Sequence, residues 1–186
     1  MKLIVLPLAI SLFASIAQAT VIQFDLIGTA GSGLLFGNEP AVASGGSGGE
    51  IGAGITFDNA TNLLSINVGW GSSQGFTNLS SLANNSHLHG PTASNNGAGF
   101  TQTAGVLFNI TRSSDAVTGG TFTSAPFLLT AGQATDLQNG KLYINLHTAN
   151  NGGGEIRGFI VPVPEPTAPL LGLLGLGSLA LRRRRA

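Results

Sequence analysis

From residue 21 to residue 161 the chain is a series of short apolar runs broken by Gly, Asn and Ser, with almost no helical period longer than ten residues. Apolar residues that recur at every second position predict half-buried strands. "VIQFDLIG" (21–28) is a first strand. "EIGAGITFD" places Ile51, Ala53, Ile55 and Phe57 on one face, and "LLSINVGW" does the same with Leu64, Ile66, Val68 and Trp70. The "NAT" between them predicts a hairpin. "GVLFNIT" repeats the alternation through Val106, Phe108 and Ile110, and "GTFTSAPF" adds a short edge strand limited by Pro126. "KLYINLH" and "EIRGFIV" close the series as a hairpin around "TANNGGG".

Two segments break the pattern. Residues 29–49 form a Gly-rich stretch too poor in apolar residues to pack well. "TAGQATDLQNG" is the one helical candidate, one or two turns with Thr130 as N-cap, Gln133 completing a capping box and Gly140 as the stop. The expected architecture is all-β: a single antiparallel β-sandwich or flattened barrel of about seven or eight strands.

The ends belong to export rather than to the fold. Lys2, an apolar run over 3–17 and the small-x-small triplet Ala17-Gln18-Ala19 predict a signal peptide over 1–19. Pro7 inside the run argues against a buried helix. At the other end a Pro-rich stretch leads into an apolar run over 168–181 and four arginines, Arg182, Arg183, Arg184 and Arg185. Fourteen helical residues reach roughly 21 Å, short of the roughly 30 Å hydrocarbon core, and snorkelling arginines supply part of the difference. Clustered Arg marks the cytoplasmic side, so everything before Ala168 is expected outside.

With Val163-Pro164-Glu165-Pro166 in front of it, this tail resembles the PEP-CTERM sorting signal of Gram-negative bacteria. The resemblance implies export machinery and an exosortase-type processing enzyme as partners, and transient membrane attachment through the C-terminal helix before processing. Segments 1–19, 20–161 and 162–186 are then signal peptide, β domain and sorting segment. A plain membrane anchor is the alternative for the tail.

Without its ends, the stretch 20–163 carries three basic residues against seven acidic ones, a net charge of −4. That excludes the basic patch expected of a nucleic-acid binder. The chain has no cysteine, which excludes disulfides and thiolate metal sites. Neither "SGGSGG" nor "NNGGG" leads into a helix with the Lys-Ser/Thr of a phosphate loop, and no serine-nucleophile motif or carboxylate dyad stands out.

The candidate chemistry lies in three histidines. In an extended strand His87 and His89 share one face and Leu88 takes the other. In "KLYINLH" Leu142, Ile144 and Leu146 face the core, so Tyr143, Asn145 and His147 share the opposite face. Pairing Asn145 with Arg157 is one register that fits the second hairpin, with His147 opposite Glu155. Three imidazoles, a carboxylate and a guanidinium then converge on one polar patch. "HLHGP", "GKLYINLHTANNGGGEIRG" and the Trp-containing hairpin resemble the CHRD domain, the module repeated in chordin and found singly in bacterial secreted proteins. That resemblance implies no catalytic activity.

An H-x-H strand with a third histidine on a neighbouring strand is also how Cu/Zn superoxide dismutases hold copper on a β-barrel. No further histidine is present to bridge a second metal, which excludes a two-metal site of that type. What remains is a mononuclear copper or zinc site at His87, His89 and His147, with Asn145, Glu155 and Arg157 behind the ligands or on an incoming anion. The competing structural account has the imidazoles fixing a turn at Gly90-Pro91 and Glu155 with Arg157 as a partly solvated ion pair. The expected function is a non-enzymatic binding or structural module of the cell surface or extracellular matrix, contacting polysaccharide or protein, with the metal protein as its alternative.

Overall fold

The computed structural model describes residues 21–93 and 99–164. The expected signal peptide, the rest of the PEP motif (Glu165, Pro166), the apolar run and the four arginines lie outside the described residues. Among those described, no helix is long and apolar enough to cross a membrane.

The fold is all-β with one short helix. In chain order the strands are β1 (Val21–Gly28), β2 (Gly31–Ser32), β3 (Leu34–Leu35), β4 (Ser47–Asp58), β5 (Leu63–Trp70), β6 (Ala83–His89) and β7 (Val106–Asn109). They are followed by β8 (Gly120–Thr121), β9 (Phe127–Leu128), helix α1 (Ala131–Gln138), β10 (Leu142–Thr148) and β11 (Ile156–Pro162). All pairings are antiparallel. β5 lies on β4, β4 on β1, β1 on β11, β11 on β10, β10 on β6 and β6 on β7. Arg112, just past β7, bridges to Phe122, just past β8, and β8 pairs with β5. The sheet therefore closes on itself as a flattened barrel, which leaves few free edges.

The interior is built by the alternation read from the sequence. Leu64, Ile66, Val68 and Trp70 of β5 are buried, as are Leu142, Ile144 and Leu146 of β10. Trp70 stacks obliquely with Phe122 at 5.7 Å and donates its indole N–H to Ala116 O. Helix α1 has the expected reciprocal cap: Gln133 N–H donates to Thr130 Oγ1 and Thr130 N–H to Gln133 Oε1. Gly140 follows it in the left-handed region, with φ +64°.

Four expectations change. The register of β4 on β5 slips between Glu50 and Ile55, where Gly52 and Gly54 adopt positive φ. Ile55 and Phe57 stay in the core, while Ala53 is exposed and Ile51 half-buried. A second irregularity between Leu88 and His89 disturbs β6 on β7, so Val106 faces solvent although Ile110 is buried. The edge segment before and after Pro126 splits into β8 and β9. The Gly-rich stretch 29–49 does pack: it supplies β2, β3 and the first residues of β4, and it buries Leu34, Asn38 and Glu39.

That last difference decides what surrounds the histidines. Glu39 and residues 100–104 lie over the outward-pointing side chains of β10, β11 and the end of β6, while Asn84 and Asn85 of β6 stay exposed. Asn38 donates to Arg157 O at 2.9 Å, and Phe100 meets Phe159 at 5.2 Å. On the interior side of β11, Gly158 leaves room for Leu26 and Gly33 O, which a Cβ there would meet at 3.1 and 2.8 Å. Tyr143, Asn145, Arg157 and Phe159 are buried under this cover although they point away from the barrel interior.

Candidate metal centre

The site sits on the outer face of two adjacent strands. β6 pairs with β10 so that His87 is opposite Asn145 and His89 opposite Tyr143, while His147 is opposite Asn85. Strand parity therefore brings the three histidines to one face, as the sequence predicts. Each offers a ring nitrogen within 4.8 Å of the other two. Three points so spaced lie within about 2.8 Å of a common centre, close to the roughly 2.0–2.1 Å of a metal–imidazole bond. His87 Nδ1 and His147 Nε2 are 3.0 Å apart. Two ligand atoms on one ion, at about 90–109° to each other, are separated by about 2.9–3.3 Å.

Backbone carbonyls orient two of the rings. His147 Nδ1–H donates to Gly152 O at 2.9 Å, which leaves its Nε2 lone pair facing His87. In His89, Nδ1 lies 2.9 Å from Ala104 O and Nε2 lies 3.1 Å from Asn145 Oδ1. Asn145 Nδ2 donates to Glu39 Oε1 at 3.2 Å, so its oxygen is the atom turned to His89. A neutral imidazole has one N–H for these two oxygens. In either tautomer a ring lone pair abuts an acceptor, a conflict that a second ring proton relieves; a metal about 2.0–2.1 Å from either nitrogen requires the facing oxygen to move away. The His89 ring also stacks on Tyr143, 4.7 Å between centroids and 2° from parallel.

Behind His89 the polar chain continues into the protein. Asn145 leads to Glu39, whose Oε2 is 3.8 Å from Arg157 NH1. The Arg157 guanidinium lies 3.7 Å over the Tyr143 ring, 4.9 Å from the Phe159 ring, and donates through NH2 to Gln102 O. Among the described residues its Nε and NH1 have no hydrogen-bond partner.

A CHRD domain matches residues 32–160, and a PEP-CTERM protein-sorting motif matches residues 162–185. The chain belongs to the CHRD domain family. No curated protein and no solved structure matches it significantly. The sorting motif marks an exported protein held at the cell envelope before processing, and it implies recognition by an exosortase-type enzyme. Of the matched residues only 162–164 are described; Val163 N–H donates to Gln23 O, which ties the start of the tail to β1.

Within the CHRD domain the expected Asn145–Arg157 register is present. Its corollary is not: the β10–β11 ladder ends at Leu146 and Ile156, and Glu155 does not join the histidines. Glu155 N–H donates to Leu146 O, and its carboxylate turns toward the loops. It accepts from Gly46 N, Ser80 N, Ser80 Oγ, Thr148 Oγ1 and Asn151 Nδ2. The carboxylate behind the site is instead Glu39, from a segment without periodicity to announce it. Arg157 is fully buried, so it fronts no solvent-borne anion and is no partly solvated partner of Glu155.

Burial sets the protonation of the site. It lowers the His87 pKa to about 4, with further lowering from His147, His89 and Arg112. Burial also lowers His89, against hydrogen bonds to Ala104 and Asn145 that favour its charged form. Glu39 is raised by burial, with Arg157 and Asn145 opposing. At neutral pH His87 is therefore uncharged, and its Nδ1–H donates to the His147 Nε2 lone pair, a proton that a metal must displace.

Proposed function

We propose that this exported CHRD domain is a surface binding module that holds one copper or zinc ion at His87, His89 and His147. The observation that carries the reading is the mutual approach of three imidazole nitrogens to within 4.8 Å, with no carboxylate or cation among them. Support comes from the Gly152 carbonyl, which fixes His147 with its Nε2 lone pair turned to His87. Histidine nitrogens suit copper and zinc better than hard cations, and Irving–Williams preference favours copper where both are offered. Asn145 and Glu39 stand behind His89 and position it. Proton competition is weaker than for free imidazoles near pH 6.5, because burial already keeps His87 uncharged there.

A structural role is the second reading, favoured by the His147–Gly152 and His89–Ala104 contacts, which pin two loops to the barrel. The two readings part on metal content. The purified exported protein, equilibrated with copper or zinc and dialysed, should retain one equivalent per chain by elemental analysis. Retention of none, or retention that survives replacement of all three histidines by alanine, contradicts the proposal.

A further inference from the structure

Resting on that reading, we infer that the coordination position left open by His87, His89 and His147 faces solvent and accepts a small exchangeable monoanion. The two sides of the cluster differ. On one side His89 is closed in by Ala104, Asn145 and the stacked Tyr143 ring. On the other, a surface cavity of about 330 Å³ is lined by Asn84, Asn85, His87, His147 and Gly152. Two of the three ligand rings thus form its wall. A water occupies about 30 Å³ of liquid, so a ligand of a few atoms fits with room for hydration.

Charge selects the ligand. Three neutral imidazoles supply no negative charge, so a divalent ion held by them keeps its full +2. Neither nearby carboxylate neutralises it directly: Glu39 reaches the site only through Asn145, and Glu155 is occupied by Ser80, Thr148, Gly46 and Asn151. The wall includes a hydrogen-bond donor beside the ligand rings. Asn85 Oδ1 accepts from Ser86 N–H at 3.0 Å, which leaves its NH2 as the group offered to an incoming anion. A structural metal site is closed by a fourth protein ligand, whereas three histidines and an open position describe one that exchanges its fourth ligand.

The probe is azide, added to the copper(II)-loaded exported protein. A saturable azide-to-copper charge-transfer band should appear at one azide per copper, competed by thiocyanate, while nitrogen hyperfine structure still reports three imidazoles. Gly152 lines the cavity and a Cβ there meets nothing within 4 Å, so Gly152→Leu adds bulk beside it without a clash. It should weaken azide at least tenfold, with copper content read in the same sample. Copper held by three imidazoles without an azide band overturns the open position and leaves the metal reading standing. Azide affinity unchanged in Gly152→Leu overturns the cavity as its route. Absence of bound copper removes the metal reading and this inference with it.

Discussion

His87 and His147 meet edge to face across two strands, with Nδ1 of one 3.0 Å from Nε2 of the other. They are diagonal neighbours, not directly paired: His87 is opposite Asn145, and His147 opposite Asn85. A diagonal contact this short depends on ring orientation, and the Gly152 carbonyl sets it. His147 is only half-buried and stands outside the barrel interior. His147→Ala should therefore lower zinc affinity at least a hundredfold by calorimetric titration, while changing unfolding stability by less than about 1 kcal/mol. A variant that unfolds more readily yet binds zinc normally supports the structural reading.

The depressed pKa of His87 has its own consequence. In the metal-free protein its imidazole should titrate near 4 by NMR, against about 6.5 in the unfolded chain. The unfolded state then binds more protons between these values, so stability falls as pH drops from about 6.5 toward 4. A His87 resonance that titrates near 6.5 contradicts the burial argument.

Arg157 and Glu39 form a buried pair, 0% and 7% exposed. Glu39→Ala leaves the guanidinium without its carboxylate and should cost about 3–5 kcal/mol in denaturant unfolding. Replacing both residues by leucine should cost less than Glu39→Ala alone. If the single change is nearly neutral, the aromatic faces of Tyr143 and Phe159 are sufficient partners.

Glu155 gives the opposite pH signature to a buried, unpaired acid. Burial by itself raises its pKa, but hydrogen bonds from Ser80, Thr148 and Gly46 together outweigh it, and the net shift is downward. Its stabilisation is fully present above the unfolded carboxyl value of about 4.3 and is lost as pH falls through the lower folded value. The stability gap between wild type and Glu155→Gln should accordingly shrink between pH 7 and pH 3. A gap of equal size at both values contradicts this account.

What the sequence carried was parity. The alternation of "KLYINLH" and the spacing of "HLH" are local, so the shared face of the three histidines and the Asn145–Arg157 register were legible. Glu155 was misplaced because the ladder stops one residue short of it, after Gly154, which adopts φ +129°. A Cβ at Gly154 would collide with the Glu39 carboxylate, so that glycine also shapes the room behind the site. Glu39 itself was illegible, since burial of the Gly-rich segment arises from tertiary contacts with β1, β4, β10 and β11 rather than from any periodicity of its own. Val106 and Ala53 were misassigned for a related reason: a bulge inverts the face of residues beyond it, and glycines hint at one without fixing the register.

Processing is tested on the mature protein. Mass spectrometry of the exported chain from a host with an exosortase should find an N-terminus at Thr20 and no Arg182 to Arg185. An intact tail in such a host supports a permanent anchor instead.

X-ray absorption at the copper or zinc edge of the loaded exported protein tests the central claim most directly. The account predicts a first shell containing three imidazole nitrogens at about 2.0–2.1 Å, reduced by one in His147→Ala. A shell of oxygen ligands alone, or one unchanged by that substitution, would contradict it.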